Sequence, residues 1–254
     1  MIRALMERLS RGRIVKRRLP GRVGGGPIWL SPESALRYWT WNLDHPKHSK
    51  LLLDTALQFA RPGGVAWDIG ANCGVFSAAC AGLLGASGWV LAIEPDCDTA
   101  STLRRNAGLA GLGERATIEV LDCAVSDTIG TALLNVAVRG RATNFLSSAG
   151  GRSDTGGVRG SRRVITVTLD WLATEFRMPT LMKIDVEGAE EAVLAGGQQV
   201  LKEARPVILC EVGEKTREAV CGQLLNSGYR LCDPQDPTNE DGWRACSNVL
   251  ALPE

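Results

Sequence analysis

The chain has 254 residues and a formal net charge of +1, with 44% hydrophobic and 22% charged residues. These values are ordinary for a globular protein, and a chain of this length can bury a sizeable core without disulfides or metal ions to stabilise it. No apolar run in the sequence is long enough to cross a bilayer as a helix. The near-zero net charge gives no indication of nucleic-acid binding.

The eight cysteines favour a reducing compartment. None of them forms a C-x-x-C pair, and several lie in apolar runs, as buried free thiols do. The amino end also lacks the continuous apolar core of a secretory signal. The sequence therefore predicts a cytoplasmic location, with neither a disulfide framework nor a structural zinc site.

Residues 1–48 are predicted to be a basic, aromatic-rich extension. The first 22 residues carry eight arginines or lysines against one glutamate, which favours a solvated terminus over a membrane-surface or polyanion-binding arm. Residues 1–18 could form a short helix, which the proline and glycines of 20–27 would end. A lid or acceptor-pocket wall and ordinary packing are equally open for the aromatic residues Trp29, Tyr38, Trp39 and Trp41.

Strands and helices alternate through residues 49–254. Strands are predicted near 65–69, 89–93, 117–121, 131–138, 164–169, 181–185, 206–211, 229–232 and 248–252. This order predicts an α/β, doubly wound, mostly parallel Rossmann-like sheet of about seven strands with helices on both faces. The strands at 131–138 and 164–169 are expected to pair with each other. Between them, residues 139–163 are rich in glycine, serine and arginine, and we expect a mobile loop there.

Residues 65–77 read as a buried strand, a glycine turn and the start of a helix, the first unit of a nucleotide-binding α/β fold. Asn72 and Val75 stand where a dinucleotide fingerprint starting at Gly70 would have its second and third glycines. Asp68 would repel a phosphate there but would suit a ligand with a positive end, such as S-adenosylmethionine. A structural turn without a ligand is the alternative interpretation.

Acidic residues follow the ends of several predicted strands, where open α/β sheets bind their ligands. Glu94 lies 20 residues after Gly74, at the position of an acid that accepts both ribose hydroxyls of S-adenosylmethionine or NAD. Asp122 could meet an adenine amino group or cap a turn. Asp185 and Glu211 follow later strands and could hold Mg²⁺ through their oxygens, although we do not favour a metal.

Four motifs in this order resemble those of FkbM-type methyltransferases: residues 67–74, Glu94-Pro95, residues 183–190 and residues 206–211. The resemblance extends over roughly residues 50–252. It implies a class I S-adenosylmethionine-dependent fold and, usually, O-methylation of sugars or secondary metabolites. The implied cofactor-binding residues are Asp68, Gly70, Asn72, Gly74, Glu94, Pro95, Asp122, Cys123 and Asp185.

The methyl acceptor is expected to be a small molecule rather than a nucleic acid, and homo-oligomerisation stays open. Asp185 or Glu187 would orient or deprotonate its hydroxyl, with His45 and His48, the only histidines, as alternative bases. Two other functions remain. An NAD-dependent oxidoreductase would share the fold and Glu94 but would need the missing glycines, and a non-catalytic binding protein would keep the fold without turnover.

Overall fold

The computed structural model describes residues 9–34, 43–44, 49–110, 113–138, 140–149, 157–239 and 241–254. Its strands are β1 (Val15–Arg18), β2 (Pro27–Leu30), β3 (Val65–Ile69), β4 (Trp89–Ile93), β5 (Thr117–Leu121), β6 (Ala124–Val125), β7 (Gly130–Ala137), β8 (Phe145–Leu146), β9 (Val158–Val167), β10 (Leu181–Ile184), β11 (Val207–Glu211), β12 (Tyr229–Cys232) and β13 (Asn248–Pro253). Its α-helices are α1 (Lys50–Phe59), α2 (Val75–Leu84), α3 (Cys97–Ala110), α4 (Leu169–Glu175), α5 (Glu190–Ala195) and α6 (Arg217–Asn226). A π-helical turn, Val200–Ala204, follows α5.

Within the described part of the chain, seven strands form the central sheet in the order β12-β13-β11-β10-β3-β4-β5. The strands from β11 to β5 are parallel, and β13 runs antiparallel to both of its neighbours. The parallel strands therefore end at a common edge, next to the point where the strand order reverses between β3 and β10. The predicted doubly wound, mostly parallel sheet is confirmed.

Helices cover both faces of this sheet, as its side-chain alternation requires. Trp67 of β3 packs into one buried cluster with residues of α4, α5 and α6, whereas Ala66 packs into a second cluster with residues of α1, α2 and α3. Strand β3 is buried at all five positions, because each face of the sheet meets a helical layer. None of the helices in the described ranges is long and apolar enough to span a membrane.

The amino-terminal extension packs on the main domain as a β-hairpin. Strands β1 and β2 pair antiparallel, so the part of the expected basic helix that falls on residues 15–18 is wrong. Ile28 and Leu30 are fully buried in the cluster that contains α1, α2 and α3. The ring of Trp29 instead lies against the guanidinium of Arg105, whose Cζ is 3.6 Å from the ring centroid. The other aromatic residues of the extension, Tyr38, Trp39 and Trp41, lie outside the described ranges.

A second sheet is inserted between β5 and β10, with the strand order β6-β9-β7-β8. Strands β7 and β9 pair antiparallel from Gly130↔Thr166 to Ala137↔Val158, which confirms the expected pairing. Strand β9 nevertheless begins at residue 158 rather than 164, and β8 also falls inside the segment expected to be a loop. The side chains near the start of β9 are mostly exposed, so they carry no apolar pattern, although the backbone ladder with β7 orders them.

Candidate active site

A cavity of about 300 Å³ opens at the carboxyl ends of β3, β4, β10 and β11. Segments from the glycine loop, from the end of β4 and from the inserted sheet form its walls. Its polar lining includes Asn72, Glu94, Arg141, Thr143, Asn144, Lys183, Asp185, Glu187 and Glu211. The apolar part includes Phe76, Ile93, Leu134, Phe145 and Leu146. A pocket of this size and mixed character is typical of a small-molecule site.

The glycine loop between β3 and α2 adopts a left-handed backbone at three positions. Gly70, Asn72 and Gly74 have φ values of 75°, 51° and 82°. A Cβ atom on Gly70 would overlap the carbonyl oxygen of Asp185, so only glycine allows the loop to pass this close to β10. The amide N–H of Gly70 donates to the carbonyl oxygen of Ile93 (2.9 Å), which fixes the loop to the end of β4.

Asp68 lies beneath the glycine loop, where its carboxylate contacts α2 and β10. Its side chain is fully buried, and its Oδ2 accepts hydrogen bonds from the amide (3.1 Å) and hydroxyl (2.6 Å) of Ser77. Its Oδ1 lies 3.2 Å from the Nζ of Lys183. This carboxylate is outside the cavity lining, and its expected contact with a positively charged ligand stays a prediction.

Lys183 connects three parts of the site from the floor of the cavity. Its Nζ donates to the carbonyl oxygen of Gly70 (2.8 Å) and lies 3.2 Å from Asp68 and 3.5 Å from Asp185. Burial alone would lower the pKa of this ammonium, but the charges of Asp68 and Asp185 outweigh burial and raise it. Lys183 therefore stays charged and holds the glycine loop against β10.

Glu94 is the buried carboxylate that lies beside the glycine loop in the cavity wall. Its Oε2 accepts the amide N–H of Asn72 and its Oε1 accepts that of Asp96, both at 2.9 Å. Burial raises the pKa of Glu94 to about 7, against the effect of these two hydrogen bonds. A carboxylate offers roughly four lone-pair sites, so the two backbone bonds leave capacity for two further donors.

Asp122 and Cys123 follow β5 but differ in their surroundings. Asp122 pairs with Arg104 at 2.6 Å and is not among the residues that line the cavity. Cys123 does line the cavity, and burial together with the charge of Asp122 raises the pKa of its thiol to about 11. The thiol is therefore protonated at neutral pH and contributes shape rather than charge.

Three carboxylates, those of Asp185, Glu187 and Glu211, converge at the far side of the cavity. Each offers an oxygen within 4.8 Å of the others, a spacing that a cation could bridge. Glu187 has a φ of 56°, which is uncommon for a residue with a side chain. Glu190 fixes the loop that carries Glu187, because its Oε1 accepts the amide N–H groups of Val186 (3.2 Å) and Gly188 (3.1 Å).

A family model described as the methyltransferase FkbM domain matches residues 68–231. The chain belongs to the FkbM methyltransferase family. The matched range includes the glycine loop, Glu94, the inserted sheet and the converging carboxylates. Every residue that lines the cavity lies within it except Leu52 of α1.

Several solved structures of methyltransferases match the chain at low sequence identity. The methyltransferase FkbM from Methylobacillus flagellatus KT is 16% identical with a TM-score of 0.48, covering 77% of this chain and 49% of its own. The chain thus spans about half the length of that protein. A SAM-dependent O-methyltransferase from Thermotoga maritima is 16% identical with a TM-score of 0.47, covering 96% and 78%. Aeropyrum pernix fibrillarin, solved with S-adenosyl-L-methionine, is 11% identical with a TM-score of 0.41, covering 76% and 66%. No curated protein matches the chain.

The FkbM domain brings most of the expected site residues to one cavity, namely Gly70, Asn72, Glu94, Pro95, Cys123, Asp185 and Glu187. Asp68, Gly74 and Asp122 are outside its lining. Gly74 has a packing role, because a Cβ there would overlap the side chain of Leu103. His45 and His48 lie outside the described ranges.

The sequence interpretation missed the cavity wall that the inserted sheet contributes. Arg141, Thr143, Asn144 and Phe145 lie in the segment expected to be a mobile loop, yet all four line the cavity of the FkbM domain. The only signal in the sequence was the change from alternating apolar residues to a polar, arginine-rich stretch. Such a stretch indicates exposure and does not reveal which charges its arginines meet.

Proposed function

We propose that this chain is an S-adenosylmethionine-dependent methyltransferase that methylates a hydroxyl group of a sugar or secondary metabolite. The observation that carries the proposal is the environment of Glu94. The residue is 9% exposed, lines the cavity and retains hydrogen-bonding capacity beside the glycine loop of an FkbM domain. A buried carboxylate with spare lone pairs fits two vicinal ribose hydroxyls.

The residues around the cavity supply binding and orientation. Glu94 accepts the ribose hydroxyls, and the positive φ values that Gly70 and Gly74 adopt shape the loop backbone that meets the cofactor. Bound S-adenosylmethionine supplies the methyl group, which passes in line from its sulfonium to the acceptor oxygen. Asp185 or Glu187 orients that hydroxyl and takes up its proton. Positioning can contribute roughly 7–11 kcal/mol and a general base about 10²–10⁴-fold in rate, so a well-shaped cavity is the larger requirement.

Methyl transfer from isotope-labelled S-adenosylmethionine to a panel of hydroxylated metabolites, amines and RNA, followed by mass spectrometry, tests this function. We expect a labelled O-methyl product, and calorimetry should show S-adenosylhomocysteine binding in preference to NADH. Binding of NADH alone would support an oxidoreductase instead. Cofactor binding with no product from any acceptor class, including amines and RNA, would support a non-catalytic binding protein.

The carboxylate hypothesis is tested with Asp185→Asn and Glu187→Gln, each assayed at saturating cofactor. The residue that handles the acceptor proton should lose about 10²–10⁴-fold in kcat with little change in cofactor affinity. Normal turnover in both variants would refute the hypothesis and direct attention to His45 and His48.

A magnesium site is the less favoured alternative for the three converging carboxylates. Turnover that survives exhaustive chelation would exclude a dissociable cation there, whereas loss of turnover that Mg²⁺ restores would establish one. We also propose a small-molecule acceptor rather than a nucleic acid, and a cytoplasmic location. The location is supported by the eight cysteines of the sequence, which contain no C-x-x-C pair and lie mostly in apolar runs.

A further inference from the structure

Arg141 is a largely buried arginine that bridges separate parts of the chain at the cavity wall. Its side chain is 15% exposed, and its Nη1 donates to both carboxylate oxygens of Asp96, at 2.9 and 2.7 Å. Its Nε donates to Glu33 of the amino-terminal extension at 3.1 Å, and its Nη1 lies 2.8 Å from Asp98. One guanidinium thus links the inserted sheet, the start of α3 and the extension.

Asp96 in turn connects this arginine to the proposed ribose site. Its side chain is fully buried, and its amide N–H donates to the Oε1 of Glu94. The side-chain amide of Asn144, three residues after Arg141, also donates to the Asp96 carboxylate. Asp96 therefore lies between Glu94 on one side and two residues of the inserted sheet on the other.

The segment that carries Arg141 also forms part of the cavity. Thr143, Asn144 and Phe145 line the same cavity as Glu94. The Oδ1 of Asn144 accepts the amide N–H of Ala137 at 2.9 Å, which fixes the segment to β7. Arg141 and Asn144 together hold this wall against the loop that carries Glu94.

We propose that Arg141 is a positioning residue of the methyl-transfer site, which offsets the charge of Asp96 next to Glu94 and holds the inserted wall beside the cofactor. This inference rests on the proposed function. An unshielded Asp96 would disfavour a second negative charge on Glu94, because like charges raise the pKa of a carboxylate. With Asp96 paired, Glu94 ionises more readily and can accept two ribose hydroxyls.

Several charged groups act on Glu94 from the surrounding elements. Asp96 on its own loop raises its pKa, and Lys183 on β10 lowers it. The remaining ionisable groups in the cavity lining are Cys123, Arg141, Asp185, Glu187 and Glu211. Arg162 of β9 also lies 3.6 Å from the Asp96 carboxylate and remains in every variant. Substitutions at positions 96 and 141 therefore report what Arg141 contributes in addition to Arg162.

The test is the affinity for S-adenosylhomocysteine, measured by calorimetry from pH 5.5 to 8.5. Arg141→Met should move the midpoint of the pH dependence upward, and Asp96→Asn should move it downward. A tenfold increase in the proton affinity of Glu94 would cut its ionised fraction at pH 7 from about one half to about one eleventh, which weakens binding about fivefold. Arg141→Lys retains the charge and should stay close to the wild-type midpoint.

The double variant Arg141→Met/Asp96→Asn guards against misfolding, because it leaves no buried aspartate without its cation. Its midpoint should lie above that of Asp96→Asn and near the wild-type value. A matched control is Arg163→Met, an exposed arginine of β9 outside the cavity lining, which should change nothing. Unchanged midpoints in Arg141→Met, or equal midpoints in Asp96→Asn and the double variant, would overturn the inference. Failure of the wild-type protein to bind S-adenosylhomocysteine would refute the proposed function instead.

Discussion

The substitution Glu94→Gln tests the ribose assignment most directly. It keeps the shape of the side chain and removes its charge from a buried position in the cavity wall. Charge-assisted hydrogen bonds contribute about 1.5–3 kcal/mol, so the variant should bind S-adenosylhomocysteine about 10–150-fold more weakly at pH 8.

The pH dependence of binding provides a second test of the ribose assignment. Burial raises the pKa of Glu94 to about 7 in the unliganded protein. Only the ionised carboxylate accepts both hydroxyls, and its population falls from about nine tenths at pH 8 to about one tenth at pH 6. Wild-type affinity should therefore fall about tenfold, or about 1.4 kcal/mol, over this range. The glutamine variant should show no such fall, and since its ligand ionises identically it also controls for titration of the ligand.

The ionisation of Glu94 should also make the stability of the unliganded protein depend on pH. The direction is opposite to that of binding, because stability falls as the pH rises. The pKa of Glu94 is higher in the folded protein, about 7, than its ordinary value of 4.5. The native state therefore binds more protons between these values, and the free energy of unfolding falls as the pH rises through this window. By pH 8 the free energy of unfolding is lower by about 3 kcal/mol. Glu94→Gln should recover only part of this loss, because its side-chain amide has one acceptor oxygen for the two backbone donors.

Calorimetry of the wild-type protein, Glu94→Gln and the exposed-residue control Glu119→Gln at pH 6 and pH 8 provides the data. Thermal unfolding of the same three proteins without ligand checks the stability argument. If wild-type affinity is flat between the two pH values and Glu94→Gln binds equally well, Glu94 does not hold the ribose. The control should behave as wild type in every measurement.

Two further substitutions address the loop and the floor of the cavity. Gly70→Ala should abolish cofactor binding or folding, because its Cβ would overlap the carbonyl of Asp185 at a positive φ. In the control Gly108→Ala in α3 the added Cβ meets no atom within 4 Å. That control should raise the free energy of unfolding by up to about 1 kcal/mol in denaturant titrations. Normal binding by Gly70→Ala would show that the loop can move away from β10. Lys183→Met should lower the free energy of unfolding by about 3–5 kcal/mol, because it leaves Asp68 buried without its cation, and adding Asp68→Asn should recover part of that loss. Equal stability of the single and double variants would contradict this account of Lys183.

The central sheet could be predicted because its apolar strands and intervening helices follow regular periods. The position of Glu94 could be predicted as well, since strand, glycine loop and helix impose a fixed distance to the end of the next strand. The direction in which the Asp68 carboxylate points could not be predicted. Sequence places this residue before the loop, but its carboxylate turns to Ser77 and Lys183, and the second of these contacts spans more than a hundred positions.

The cavity wall that the inserted sheet contributes could not be predicted either, because its contacts also join distant parts of the chain. The ion pair between Arg141 and Asp96 joins residues 45 positions apart, and composition alone describes both as ordinary polar residues. Much of the start of β9 is exposed, so the ladder that orders it leaves no hydrophobic pattern to detect. Backbone pairing and buried charge pairs are thus the parts of this site that a linear pattern does not encode.

The close contact between the amino-terminal hairpin and α2 has a practical consequence for handling this protein. A Cβ on Gly82 would overlap the carbonyl of Val23, and one on Gly24 would overlap the backbone of Gly82, so the two segments touch through bare backbone. Hydrophobic side chains of the hairpin lie in the same cluster as α2. We expect that expressing residues 49–254 alone would expose an apolar face of α2 and yield aggregates, whereas keeping the hairpin would preserve soluble material.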